Sequence, residues 1–294
     1  MKEYYGYLLI VVASIIWGTM GVLGKLAFGY GINPPTLIAL RLLISSLTLL
    51  TPIILFKRGL LKLQRRDVSK LLALGILATA LQRVTYFYAI DLTTATTASI
   101  LFYTYPIFVT IYSSLFLKEK ATFLIGLAIV LTFSGVALVV RAYDPSMLNA
   151  SLFGVIFGLA SSILFALFFL ITKSLRNNYT NWTLLLYGDG IGAFFLIPII
   201  FASLPRVASY PQQLWLITLA IAWFPSLLAY LIYSYALKHV ERSRGSILSV
   251  IEPLSTAFFA ATILGEGFEP LQIIGVVLTL TGVLLLFYKP KSKK

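Results

Sequence analysis

The sequence predicts an all-α integral membrane protein with ten transmembrane helices arranged as two inverted five-helix repeats. First, the 294 residues are 59% hydrophobic and only 11% charged, with a mean hydropathy of +0.94. That is too apolar for a soluble domain. Second, long apolar stretches recur at Tyr4–Phe28, Pro35–Phe56, Leu71–Ile90, Thr94–Leu117, Phe123–Val140, Leu152–Ile171, Trp182–Leu204, Leu214–Leu237, Ser246–Leu264 and Leu271–Tyr288. Most reach the ~20 residues that a spanning helix needs. Third, the chain repeats itself. A shift of 148 carries Gly6, Ser14 and Lys25 onto Gly154, Ser162 and Lys173. A shift of 147 carries Tyr88-Ala89, Ser99-Ile100-Leu101, Pro106, Glu119 and Gly135-Val136 onto Tyr235-Ala236, Ser246-Ile247-Leu248, Pro253, Glu266 and Gly282-Val283. Five spans per repeat, an odd number, make the second repeat enter the membrane from the opposite side, as in alternating-access carriers.

The stretches lack strict apolar/polar alternation, so helices rather than a barrel satisfy the backbone in lipid. The repeats are expected to cover residues 1–141 and 150–294, with Asp144-Pro145 and Asn149 breaking the apolar run between them. Lys57–Lys70 is the longest connection. It is expected to be a solvated topology signal, with an interfacial turn of helix as the competing reading. Pro106 and Pro253, at equivalent repeat positions, and Pro225 should bend their helices and free backbone carbonyls. Gly18, Gly21, Gly24, Gly154 and Gly158 are expected at close helix contacts. Gly188-Asp189-Gly190-Ile191-Gly192 follows no strand, so it is not a phosphate-cradling loop; a locally loosened helix is expected there.

The net charge of +13 lies in short segments between spans, which points to membrane topology and excludes a nucleic-acid partner. Lysines and arginines follow the even-numbered spans at 57–70, 118–120, 173–176, 238–244 and 289–294, while the odd connections keep little beyond Lys25, Arg141 and Arg206. This bias predicts a multi-pass protein of the cell membrane with both termini in the cytoplasm. The first span is longer than a secretory signal and is expected to be retained. With no cysteine and a single histidine, His239, the chain has no disulfide, thiolate nucleophile or zinc site, and no metal or cofactor is expected.

Several motifs carry a resemblance. Trp17-Gly18, Leu40-Arg41, Tyr88-Ala89, Tyr105-Pro106, Leu117-Lys118-Glu119, Tyr235-Ala236, Glu252-Pro253 and Leu264-Gly265-Glu266 resemble the drug/metabolite transporter superfamily, its EamA-like branch above all, over nearly the whole chain. The resemblance implies a ten-helix carrier for a small molecule. It leaves open amino acids and related metabolites, drugs or organic cations, and phosphorylated sugars. Arg83 is not part of the family's common pattern.

Ionisable groups inside spans cost about 2.5–3.5 kcal/mol each on insertion scales and mark functional sites. Arg41, Arg83, Asp189 and Glu252 qualify. Thr79, Arg83 and Tyr86 share a face of span three, and adding 147 gives Ser226, Tyr230 and Tyr233 on span eight. These two stripes are expected to line a central pathway with Trp17, Gln82, Tyr105 and Trp223; for each aromatic alone, an interfacial belt is the competing reading. Arg41 and Asp189, at nearly matching positions of spans two and seven, would form an ion pair or separate polar contacts. Glu252 would carry a coupling proton, meet a substrate ammonium, or pack helices. Glu119 and Glu266 would complement the dipole of the helix that follows each.

Arg83 lies in the outer half of the bilayer without an acidic partner in its own span. Glu252 or Asp189 from a neighbouring helix, water in an outward-opening cavity, or the anionic group of a substrate would compensate it, and the guanidinium fork leads to the expectation of a substrate carboxylate or other anion. A membrane enzyme is the rival class. It lacks a metal cluster, a Gly-x-Ser-x-Gly elbow and a Ser/His pair, so no catalytic residue is assigned. A channel is disfavoured because no filter motif repeats.

Overall fold

The computed structural model describes residues 2–116, 123–237, 239–240 and 248–287. Among the described residues the secondary structure is helical throughout. We label the main helices α1 (Lys2–Phe28), α2 (Pro34–Phe56), α3 (Arg65–Leu92), α4 (Ala95–Phe102 and, past a break at Tyr103-Thr104, Tyr105–Phe116), α5 (Phe123–Val139), α6 (Pro145–Leu175), α7 (Asn181–Ala202), α8 (Gln212–Ala236), α9 (Ile251–Leu264) and α10 (Pro270–Phe287). Seven of them, α1–α4 and α6–α8, are long and apolar enough to cross a membrane, and shorter apolar helices accompany them at Phe123–Val139, Ile251–Leu264 and Pro270–Leu285.

Capping side chains set several starts. Asn33 accepts from the Thr36 amide at 2.9 Å, with Pro34 and Pro35 in the first turn of α2. Thr94 and Thr180 do the same for α4 and α7, accepting from the amides of Thr97 at 3.0 Å and Thr183 at 3.3 Å. At its other end α9 stops on Gly265, which holds φ at 68°, the left-handed conformation that glycine reaches without a Cβ clash.

Two helices depart from α geometry at matched places. Ile76–Leu81 in α3 and Ala222–Leu228 in α8 are wound as π turns. In α8 the cause is visible. Pro225 has no N–H for the Ile221 carbonyl four residues back, and the Ser226 hydroxyl donates to that carbonyl instead, at 2.6 Å. The carbonyl expected to be freed by Pro225 is thus satisfied within the same helix. Such π turns often mark functional positions.

α7 is a regular helix through its glycines, which corrects the expectation of a loosened segment. Its glycines serve packing: a Cβ on Gly192 would stand 3.1 Å from the Gly75 carbonyl of α3, and one on Gly188 would stand 3.1 Å from the Thr79 hydroxyl. α3 therefore lies directly on α7. α2 also packs against α7, α1 against α8 and α9, and α5 against α10.

Two connections are held by long-range hydrogen bonds. In the Lys57–Lys70 segment, two short 3₁₀ turns at Arg58–Leu61 and Arg65–Asp67 present exposed cations. Their backbone is docked on the α6–α7 connection. The Leu60 and Leu61 carbonyls accept from Thr183 at 3.2 Å and Tyr187 at 2.7 Å. The Gln64 amide donates to the Tyr179 hydroxyl at 2.9 Å, and buried Asp67 accepts from Tyr179 and Asn178, each at 3.1 Å.

Glu266 accepts from the amides of Ala95 at 2.8 Å and Thr96 at 3.4 Å and from the Thr96 hydroxyl at 3.1 Å. It complements a helix dipole as expected, but that of α4 rather than of the helix that follows it. The fold brings the α9–α10 turn over the start of α4, a neighbour that local sequence cannot reveal. Glu119, together with Lys118, Lys120, Arg242, Arg244 and the basic tail, lies outside the described residues.

Candidate functional site

The intramembrane charges converge. Asp189 is 1% exposed in α7 and is held from two sides. The Ser45 hydroxyl of α2 donates to its Oδ2 at 2.5 Å, and Arg83 of α3 brings Nη2 to 3.3 Å from Oδ1 as an ion pair. One turn from Ser45 on α2, Arg41 is 2% exposed and its Nε donates to Ser226 of α8 at 2.8 Å. Ser226 serves two partners at once, donating its single proton to Ile221 and accepting from Arg41. Ser226 thus links Arg41 of α2 to the carbonyl that Pro225 leaves without its usual amide.

Of the two outcomes expected for Arg41 and Asp189, the fold takes separate contacts over a direct ion pair. Asp189 pairs with Arg83, so a protein carboxylate compensates Arg83 directly. Arg41 still feels Arg83 and Asp189 as its nearest charges. The cluster counts two guanidinium groups against one carboxylate, a net charge of +1. Three polar atoms here find no hydrogen-bond partner among the described residues: Arg41 Nη1, Thr79 Oγ1 and Asp189 Oδ1, which meets Arg83 as an ion pair only. Ser45 was not foreseen from sequence, although its spacing of four from Arg41 placed it on the same helix face.

A second polar centre involves Glu252 at the start of α9. The Tyr103 hydroxyl, at the break in α4, contacts Glu252 Oε2 at 2.9 Å and the Ser249 carbonyl at 2.5 Å. Ser249 is four residues before Pro253, so its carbonyl lacks the usual helical partner at that position. A phenol has one proton. When Tyr103 donates it to Ser249, its contact with Glu252 is a hydrogen bond only if the carboxyl is protonated and donates; an ionised carboxylate draws the phenol proton to itself. Gly18 of α1 makes room here, since a Cβ at that position would stand 3.1 Å from the Glu252 carbonyl and 2.6 Å from the Ser255 side chain. Tyr86 lies between the two centres, within electrostatic reach of both Glu252 and Arg41.

The other expected lining residues are divided. Thr79 and Arg83 face α7, whereas Tyr86 is buried against Phe102, with ring centroids 5.2 Å apart. On α8, Ser226 meets Arg41, Tyr230 packs among Leu49, Leu185 and Leu186, and Tyr233 tilts against Trp17 at 5.1 Å. Tyr105 stands edge-on to Phe165 of α6 at 4.8 Å, and Gln82 is buried. Trp223 is 47% exposed, with its indole N–H 3.2 Å from the Thr48 hydroxyl. Among the described residues no group of His, Asp and Glu side chains is arranged to hold a metal ion.

Comparison with known proteins agrees with this architecture. The model of the EamA-like transporter family matches residues 4–141 and again residues 152–288. The chain belongs to the EamA-like transporter family. It is 30% identical over 281 residues to an uncharacterized transporter of Archaeoglobus fulgidus, covering 96% of each chain. It is 26% identical over 192 residues to a probable terminal-alkyne amino-acid exporter of Streptantibioticus cattleyicolor, covering 65% of this chain and 64% of that one. A crystal structure with 15% sequence identity superposes with a TM-score of 0.61 over 96% of both chains, a likeness of fold. This EamA-like protein is accordingly a multi-pass membrane transporter.

Proposed function

We propose that the protein is a secondary carrier that exports amino acids or related small metabolites by alternating access of two inverted five-helix repeats. The observation that carries this reading is the buried cluster of Arg41, Ser45, Arg83, Asp189 and Ser226, contributed by four helices midway along their length. Charge is retained at membrane depth only where it is paired or faces a pathway. The two segments matched by the family model and the π turns at equivalent positions support the duplication. Organic-cation efflux fits less well, because the cluster already carries one positive charge in excess.

The test is counterflow in proteoliposomes loaded with an unlabelled amino acid and challenged with the labelled one. A carrier gives saturable uptake, accelerated by the internal substrate. Flux that rises linearly with concentration, or no flux for any amino acid, rejects the reading. In the same orientation model both termini and Lys57–Lys70 face the cytoplasm, and labelling of that segment from outside intact cells by an impermeant reagent would reverse the topology.

Glu252 is the proposed coupling carboxyl, since its contact with Tyr103 changes character with its proton. Glu252→Gln keeps shape but cannot titrate, so transport should lose its pH dependence while the protein stays folded. An unchanged pH profile returns Glu252 to a packing role.

A further inference from the structure

We infer that Arg41, not Arg83, binds the carboxylate of the transported molecule. This deepens the carrier reading, on which the word substrate rests. Arg83 is the more conspicuous candidate because its position on α3 is unusual for the family. The fold, however, gives Arg83 a carboxylate of the protein's own, Asp189, at 3.3 Å. The other oxygen of Asp189 accepts from Ser45. Arg41 has no such partner. Its Nε is taken by a neutral hydroxyl, its Nη1 finds no acceptor among the described residues, and it is 2% exposed.

A guanidinium is a rigid fork of donors matched to the two oxygens of a carboxylate. Anchoring Nε on Ser226 fixes the orientation of that fork and leaves its far side for a ligand. The excess of one positive charge sets the polarity, so an incoming monoanion brings the cluster to neutrality. A zwitterionic amino acid presents a carboxylate to the fork and leaves the net charge of the cluster unchanged, while an amine of the same shape offers no anion, adds a second positive charge and is rejected.

The experiment uses the purified full-length protein and thermal-shift titration with amino acids and their decarboxylated counterparts, such as tyrosine with tyramine and tryptophan with tryptamine. We expect at least one amino acid to raise the melting temperature and its amine to leave it unchanged. Arg41→Gln, which leaves Arg83 and Asp189 as a balanced pair, should fold and bind that amino acid roughly ten- to a hundredfold more weakly, the loss of a charged hydrogen bond or two. Arg41→Lys keeps the charge without the fork and should recover little, which also covers the case of a glutamine variant that fails to fold.

Equal shifts from amino acid and amine, no shift from any amino acid, a shift reproduced by sodium chloride alone, or wild-type affinity in either variant overturns the assignment. If amino acids bind through Arg41 but counterflow is absent, the anion site stands and the exporter reading falls.

Discussion

Helix α3 winds as a π turn over Ile76–Leu81, and helix α8 does so over Ala222–Leu228, which a shift of 147 carries back to residues 75–81. The two backbones have kept the same deviation, but its origin differs: α8 contains Pro225, and nothing in the sequence of α3 forces it. Their side chains have diverged further. Behind its π turn α3 sends Arg83 to a carboxylate, while α8 sends the Ser226 hydroxyl to Arg41 and the Tyr233 ring to Trp17. A second arginine at Tyr230 would raise the excess charge of the cluster from one to two. In the proposed duplication a scaffold is kept more readily than a charge, because backbone hydrogen bonds are satisfied locally whereas a buried charge must balance across the whole molecule.

The charge count ranks substitutions. Asp189→Asn should be the most damaging, because it leaves two guanidinium groups in the core without a carboxylate; breaking one partner out of a buried pair costs about 3–5 kcal/mol. Thermal denaturation in detergent measures it. A stability equal to wild type would mean that water, not Asp189, compensates the arginines. Arg83→Gln should cost less than Asp189→Asn, since Arg41 remains to balance the carboxylate. A double-mutant cycle between the two positions should show coupling, and strict additivity would deny that the ion pair matters.

Ser226→Ala comes next. It strips both the Ile221 carbonyl and Arg41 Nε of a partner, at about 1–3 kcal/mol. Pro225→Ala in the same background should restore an N–H four residues after Ile221 and recover part of the loss. An absence of recovery would separate the proline from the turn. Trp223→Phe, on the exposed side of the same turn, should stay within about 0.5 kcal/mol. A larger loss would bring Trp223 into the working part of α8.

The helices themselves are legible in the sequence. Apolar runs mark them, and Asn33, Thr94 and Thr180 mark three starts within a residue. The four intramembrane charges are legible too, because lipid makes them conspicuous. Their pairing is not. Asp189 meets Arg83 only because the Gly188–Gly192 face lets α3 lie close on α7, and which helices cross at which height is not written in a one-dimensional period. Tyr103 escaped attention for a related reason. Repeat arithmetic names Tyr105 as the mate of Glu252, while the break at Tyr103-Thr104 turns the earlier tyrosine toward it. Of Thr79, Arg83 and Tyr86, the first two face α7 and the third turns to Phe102.

The π turns also bear on which changes of length the chain can tolerate. A π turn holds one residue more than the α-helical turn it replaces. Removing a residue elsewhere in α3 or α8 would swing every later side chain round the axis by about 100°, carrying Arg83 away from Asp189. Removing one from Ile76–Leu81 or Ala222–Leu228 would let the helix close into ordinary α geometry with the downstream faces still aimed at their partners. The two helices thus each carry a slack link, and a lineage could shorten the chain there without resetting everything threaded behind it.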